Sequence, residues 1–333
     1  MNTERIVLGL DVSKDTVDAC LLLSDGRKQA KKFDNSNFGF HQLLCWLHGY
    51  ELTQIHACLE PTGRYSRALA LFLFNSGMKV SQVNSFAVQS HGRSKKFRSK
   101  SDRIDAFLLA DYCLKECPPT WTPAPKAQSE LRDIQHRLSC VDELIRQEEN
   151  RLHAGTDSKL VLEDINESLG RLYVRRNNLE TAAKQHIRAD ERLAANYAIL
   201  NSIIGLGEKS AMRLLAMVQF EQFKTGRQVA CYSGLTPRQY DSGTSVHRRA
   251  QISRVGSSEL RGYLYFPAMS AMRHNPQLRA FADRLREKGK PPKSIICAVM
   301  RKLLVLATTL IHKQQLYDCA YLSPLSAVSP STV

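Results

Sequence analysis

Arg5-Ile6-Val7-Leu8-Gly9-Leu10-Asp11-Val12-Ser13 is the stretch that decides the fold. A short apolar run leading straight into an aspartate reads as a buried strand that delivers a carboxylate near its end. Working outward, Val17 to Leu23 is a second strand after a Ser-Lys-Asp turn, and a third short strand around Lys31 to Asp34 completes an antiparallel meander. Phe38 to His48 has helical spacing, with Phe40, Leu43, Leu44 and Leu47 on one face. Ile55 to Leu59 is another strand, ending at Glu60-Pro61; Tyr65 to Asn75 is an apolar helix terminated by Gly77; Lys79 to Val83 is a further strand.

Three strands followed by alternating helix and strand is the order of an RNase H-like α/β fold. The segment from Phe86 to Lys115 is helical in pattern and strongly basic in its first half, and Pro118, Pro119, Pro123 and Pro125 then mark a boundary. Beyond it, Leu131, Ile134, Leu138, Val141, Ile145 and Leu152 form a heptad-like series, and Leu162, Ile165, Leu169, Leu172, Leu179 and Ala183 repeat it after Gly155-Thr156-Asp157. Two such helices joined by a tight turn predict a long antiparallel helical hairpin, suited to an arm, a spacer or a dimerisation element. From Tyr197 the chain reads as a mainly helical domain. The expected organisation is an RNase H-like domain over 1–118, a helical connector over 126–193, a helical domain over 197–315 and a tail over 316–333.

The balance of 47 Lys and Arg against 32 Asp and Glu gives a net charge of +15, which favours a polyanionic partner. Nothing resembles an export signal, and the most apolar late stretch, Ile295 to Ile311, is interrupted by Arg301 and Lys302, which argues against a membrane span. The nine scattered cysteines include no pairing of couplets that would complete a zinc site and read as reduced thiols of a cytoplasmic protein. Gly207-Glu208-Lys209-Ser210 has the wrong spacing for a P-loop. Gly205 and Gly207, entering a helix, match a helix-hairpin-helix element that holds a DNA phosphate through backbone N–H groups; an ordinary turn between packed helices explains them equally well.

Four carboxylates fall where an RNase H-like fold would collect them: Asp11 ending the first strand, Glu60 ending the fourth, and Asp102 and Asp105 at i and i+3 on one helix face. Each alone is unremarkable, since strand-end aspartates and exposed Asp-x-x-Asp pairs are common. Converging, they would repel one another and need a hard divalent cation, Mg²⁺ or Mn²⁺, which can polarise a phosphodiester. The basic run containing Arg93, Lys95, Lys96, Arg98 and Lys100 directly precedes Asp102, as suits attraction of a phosphate backbone. Sugar kinases and actin-like ATPases share the first-strand aspartate but need a second copy of the domain, and the helical second half offers none.

The second half carries Gly234-Leu235-Thr236-Pro237 and then Tyr240-Asp241-Ser242-Gly243-Thr244, followed by Arg248, Arg249 and Arg254. A serine in a polar glycine turn can reach a phosphorus atom, and nearby arginines can stabilise the charge that develops there. Taken with the acidic set, these elements resemble the bacterial insertion-sequence transposases of the DEDD type, the group that includes the Piv-like DNA invertases, whose N-terminal domain is similar to the RuvC junction resolvase. The resemblance runs in order from about residue 5 to 275. It implies metal binding by Asp11, Glu60, Asp102 and Asp105, a nucleophilic Ser242 that forms a covalent phosphoserine, donor and target DNA as substrates, an element-encoded guide RNA and a homo-oligomer. The remaining alternatives are an invertase needing no RNA, a junction resolvase or hydrolytic nuclease using the acidic site alone, and a non-catalytic nucleic-acid binder.

Overall fold

The computed structural model describes residues 5–23, 25–95, 101–242, 246–253 and 255–319, with the side chains of Arg64 and 239–251 outside the description. The chain divides into two compact units, Met1–Pro123 and Ala124–Val333.

In the first unit, β1 (Ile6–Val12), β2 (Thr16–Leu23) and β3 (Lys28–Asp34) form the antiparallel meander, and β4 (Ile55–Leu59) and β5 (Lys79–Gln82) extend it in parallel. The sheet order is β3-β2-β1-β4-β5. The parallel part needs crossovers, and α2 (Arg64–Asn75) supplies one between β4 and β5. β1 is buried along almost its whole length, so it reads as a continuous apolar run instead of an alternating one. One face packs Leu8, Leu10 and Leu59 against Phe40 and Leu43 of α1 (Asn37–Trp46) and Leu69 and Leu73 of α2. The other packs Val7, Cys20 and Cys58 against Val88 of α3 (Ser85–Ser94) and Ala106, Leu109 and Ala110 of α4 (Asp102–Glu116). Each fully buried Leu contributes about 1.5–3 kcal/mol relative to an exposed one.

The structure is an α/β RNase H-like unit followed by helices, as the element order predicts. Some boundaries move. β3 begins at Lys28, three residues before the expected strand. The expected continuous helical stretch from Phe86 to Lys115 is two helices, because Ser101 takes an extended conformation and caps α4 by accepting the Ile104 N–H.

In the second unit, α5 (Lys126–Ala154) and α6 (Lys159–Ala189) pack as the long hairpin through Val141, Ile145, Ile165 and Leu169. The hairpin base is part of a larger core: Leu131, Ala183 and Ile187 join the cluster built around α12 (Pro292–Lys313), and Gln128 donates to the carbonyls of Leu215 and Val218 at 2.8 and 3.0 Å. α12 is long and apolar enough to cross a membrane by length and composition, yet Val299, Leu303, Leu304 and Ala307 are fully buried in that core. The mainly helical reading omits one element. β6 (Pro237–Ser242) and β7 (Val246–Ile252) form an antiparallel hairpin.

Candidate active site

The acidic residues are positioned by strand register. Asp11 lies on β1 directly opposite Asp18 of β2, and Asp18 lies opposite Lys32 of β3. On the other flank Leu10 pairs with Leu59, so Glu60, one residue further, comes level with Asp11. Directly opposed residues share a sheet face. One row therefore reads Lys32, Asp18, Asp11, Glu60 across four strands. This is the face that α4 covers. A Cβ at Gly9, two residues before Asp11, would stand 2.0 Å from the Ala106 carbonyl oxygen and 2.4 Å from the Ala110 nitrogen. Only glycine allows that approach of helix to strand. It brings the first turn of α4, with Asp102 and Asp105, over the row.

Charge crowding follows from this geometry. Asp11 is half-buried, and its carboxyl is pushed up to about 6 by burial and then by the charges of Asp105, Asp102, Glu60 and Asp18. Glu60 accepts a hydrogen bond from the Ser85 hydroxyl, and the Thr62 hydroxyl donates to the Val12 carbonyl at 3.3 Å, fastening the loop after β4 to the end of β1. Asp18 is 6% exposed and pairs with Lys32 at 3.2 Å; the same ammonium reaches Asp102 at 4.0 Å. Sequence reading missed both Asp18 and Lys32. Their only signal is the ladder register, which no local motif encodes. Among the described residues no three carboxylate, His or Cys side chains are close enough to hold a metal ion jointly. The donor chemistry nonetheless suits one: the row offers hard carboxylate oxygens, and a divalent cation relieves the repulsion that raises Asp11.

The basic run ahead of α4 divides. Arg93 is exposed on α3. Lys95 is engaged: its ammonium, with the His91 ring and Lys115, pairs with buried Asp111. Burial alone would raise Asp111, but hydrogen bonds from Lys95 and His91 hold it below the usual carboxylate range. Lys95 thus ties α3 to α4 through its ion pair with Asp111. Lys96, Arg98 and Lys100 lie outside the described residues.

In the second unit, α7 (Glu191–Ser202) and α8 (Glu208–Met217) flank the glycine turn. Gly205 has φ +109°, and a Cβ there would stand 2.5 Å from that of Ala271 on α10 (Ser258–His274), so packing explains this glycine. Gly207 caps α8 in open space, where Glu208 in the first turn pairs with Lys184. Ser233, nine residues before Ser242, is fully buried at the end of α9 (Gly226–Tyr232), donating its hydroxyl to the carbonyls of Val229 and Ala230 at 3.0 Å. Ser242 is the last residue of β6, opposite Val246, a strand end where a turn residue was expected. Arg248 and Arg249 lie on β7, Arg248 opposite Tyr240; Arg254 and Ser245 are outside the described residues. Arg261 is committed to structure, donating to the carbonyls of Ser233 at 3.1 Å and Gly256 at 3.2 Å.

Two family models match. Residues 8–158 match a transposase model of the DEDD type named for IS110, and residues 176–283 match the transposase IS116/IS110/IS902 family. The chain is also 31% identical over 323 residues to the pilin gene-inverting proteins of Moraxella lacunata and Moraxella bovis, covering 94% of this chain and 98% of each relative. An insertion element IS110 protein of Streptomyces coelicolor is 28% identical over 121 residues, 36% of this chain and 30% of its own. The acidic row lies within the first matched segment and Ser242 within the second. The chain belongs to the IS116/IS110/IS902 family of transposases, enzymes that rearrange DNA.

Proposed function

We propose that this transposase cuts and rejoins DNA with two sets of groups, the acidic row of the first unit and Ser242 of the second. The observation that carries the reading is the register placing Asp11 and Glu60 side by side beneath the α4 turn that bears Asp102 and Asp105. Those four carboxylates would hold Mg²⁺ or Mn²⁺, which when bound neutralises charge on the phosphate oxygens. The Ser242 hydroxyl attacks the phosphorus of the scissile link. A serine–phosphate ester forms, the bond from phosphorus to the leaving deoxyribose oxygen breaks, and that oxygen departs as a hydroxyl carrying the proton. Attack by a second strand's hydroxyl on the phosphoserine reverses the balance and restores the serine. Ser233 could not serve, because its hydroxyl is buried and donated within α9.

Donor and target DNA are the substrates in this reading. The net charge of +15 suits backbone contacts, and base choice is delegated to an element-encoded guide RNA. The protein works as a homo-oligomer, with the α5–α6 hairpin as the element that assembles it. The test is strand exchange between plasmids carrying the element's ends, with copurified RNA and Mg²⁺. Asp11→Asn and Ser242→Ala should each abolish exchange, and ribonuclease treatment should abolish it in the wild type. Exchange that persists in Asp11→Asn contradicts the metal assignment. Exchange that survives ribonuclease assigns the protein to the RNA-independent invertases.

A further inference from the structure

We propose that Asp18 and Lys32 form a resident ion pair that sets how tightly the acidic row takes a divalent cation, an inference that rests on the metal-site reading above. Asp18 continues the row that Asp11 and Glu60 begin, and it is more buried than Asp11. A carboxylate at 6% exposure needs a counter-charge. Lys32, its ladder neighbour, supplies one at 3.2 Å and spans to Asp102 at 4.0 Å.

Lys32 differs from the other lysines of its strand. Lys28 lies over the Phe107 ring and Lys31 over the Phe33 ring, at 4.9 and 5.5 Å, whereas Lys32 turns to carboxylates. Its side chain is 52% exposed, so the ammonium can leave Asp102 for water at little cost while Asp18 stays in place on β2. Lys32 thereby competes with a divalent ion for Asp102, and Asp18 draws Lys32 back toward the sheet. Both are positioning residues. Removing one should shift metal affinity opposite to removing the other.

The experiment titrates Mn²⁺ into the purified full chain, reading free Mn²⁺ by electron paramagnetic resonance, for wild type, Lys32→Gln, Lys32→Arg, Asp18→Asn and Asp11→Asn. Lys32→Gln should tighten Mn²⁺ binding about three- to tenfold, the scale of one solvated unit charge acting on a divalent ion across roughly 6–12 Å of water. Asp18→Asn should weaken it by a similar factor, and Lys32→Arg should stay within about twofold of wild type because its charge is kept. Unchanged or weaker binding in Lys32→Gln, with wild-type binding intact and lost in Asp11→Asn, overturns the proposal and leaves the metal site standing. Wild-type binding that is absent, or that survives in Asp11→Asn, overturns both.

Discussion

Asp11→Asn should stabilise the protein while destroying its activity. The carboxyl of Asp11 is raised from an ordinary aspartate value of 3.8 to about 6, by burial and then by Asp105, Asp102, Glu60 and Asp18. A rise of that size corresponds to about 3 kcal/mol of penalty on the ionised folded form. Asp11 is only half-buried, so solvent screening reduces it to about 1–2 kcal/mol. The sign follows from linkage. A carboxylate raised on folding destabilises the native state above its folded value and ceases to do so once protonated in both states. The penalty is therefore complete at pH 7.5 and is relieved as pH falls from about 6 toward 3.8. With a chelator present, thermal unfolding at pH 7.5 should show the Asn variant melting roughly 3–10 °C above wild type for a unit of this size. The gap should narrow by pH 5. Mn²⁺ should stabilise the wild type and leave the variant unmoved. A variant that melts at or below wild type at pH 7.5, or a gap that widens on acidification, would refute the crowding argument.

Other outcomes follow from the same structure. Gly9→Ala should cost about 3 kcal/mol or prevent folding, because the new methyl meets the α4 backbone at Ala106 and Ala110; urea denaturation measures it. Ser101→Ala should cost about 1 kcal/mol through loss of the α4 cap and should also weaken Mn²⁺ binding, since the first turn carries two of the acidic side chains. Asp111→Asn should cost about 2–3 kcal/mol by leaving His91, Lys95 and Lys115 without their shared partner. Because that carboxyl is lowered on folding, its stabilisation is present above the ordinary aspartate range and lost on stronger acidification, so the variant's deficit should shrink in acid unfolding.

Much of the first unit was legible because β1, β2 and β4 are apolar runs bounded by turn residues, and a carboxylate after such a run lies at a sheet end whatever the tertiary context. The strand elements that went unread share one cause. β3 is an edge strand with Phe33 as its one buried side chain, so Lys28 to Lys31 carry no apolar alternation to mark its start. β6 and β7, Pro-Arg-Gln-Tyr-Asp-Ser and Val-His-Arg-Arg-Ala-Gln-Ile, are equally polar and pair with each other alone. The break between α3 and α4 had a signal in Ser101 ahead of Asp102 and Ile104, which the basic run masked. Asp18 and Lys32 were out of reach, because their place in the row depends on the β1–β2–β3 register, a property of the pairing and not of any one strand. The pairing of Lys95 with buried Asp111, sixteen residues away, could not be inferred from spacing.

The most direct measurement is to trap the protein on DNA and map the linkage. Wild-type and Ser242→Ala proteins, with Mg²⁺, copurified RNA and DNA from the element's ends, are quenched in denaturant, digested and sequenced by mass spectrometry. The expected result is a nucleotide-phosphate adduct on the peptide containing Ser242, absent from the Ser242→Ala protein and absent when Asp11 is replaced by Asn. Cleaved DNA with no adduct in either protein, or an adduct on another side chain, would contradict the assignment of Ser242 as the nucleophile.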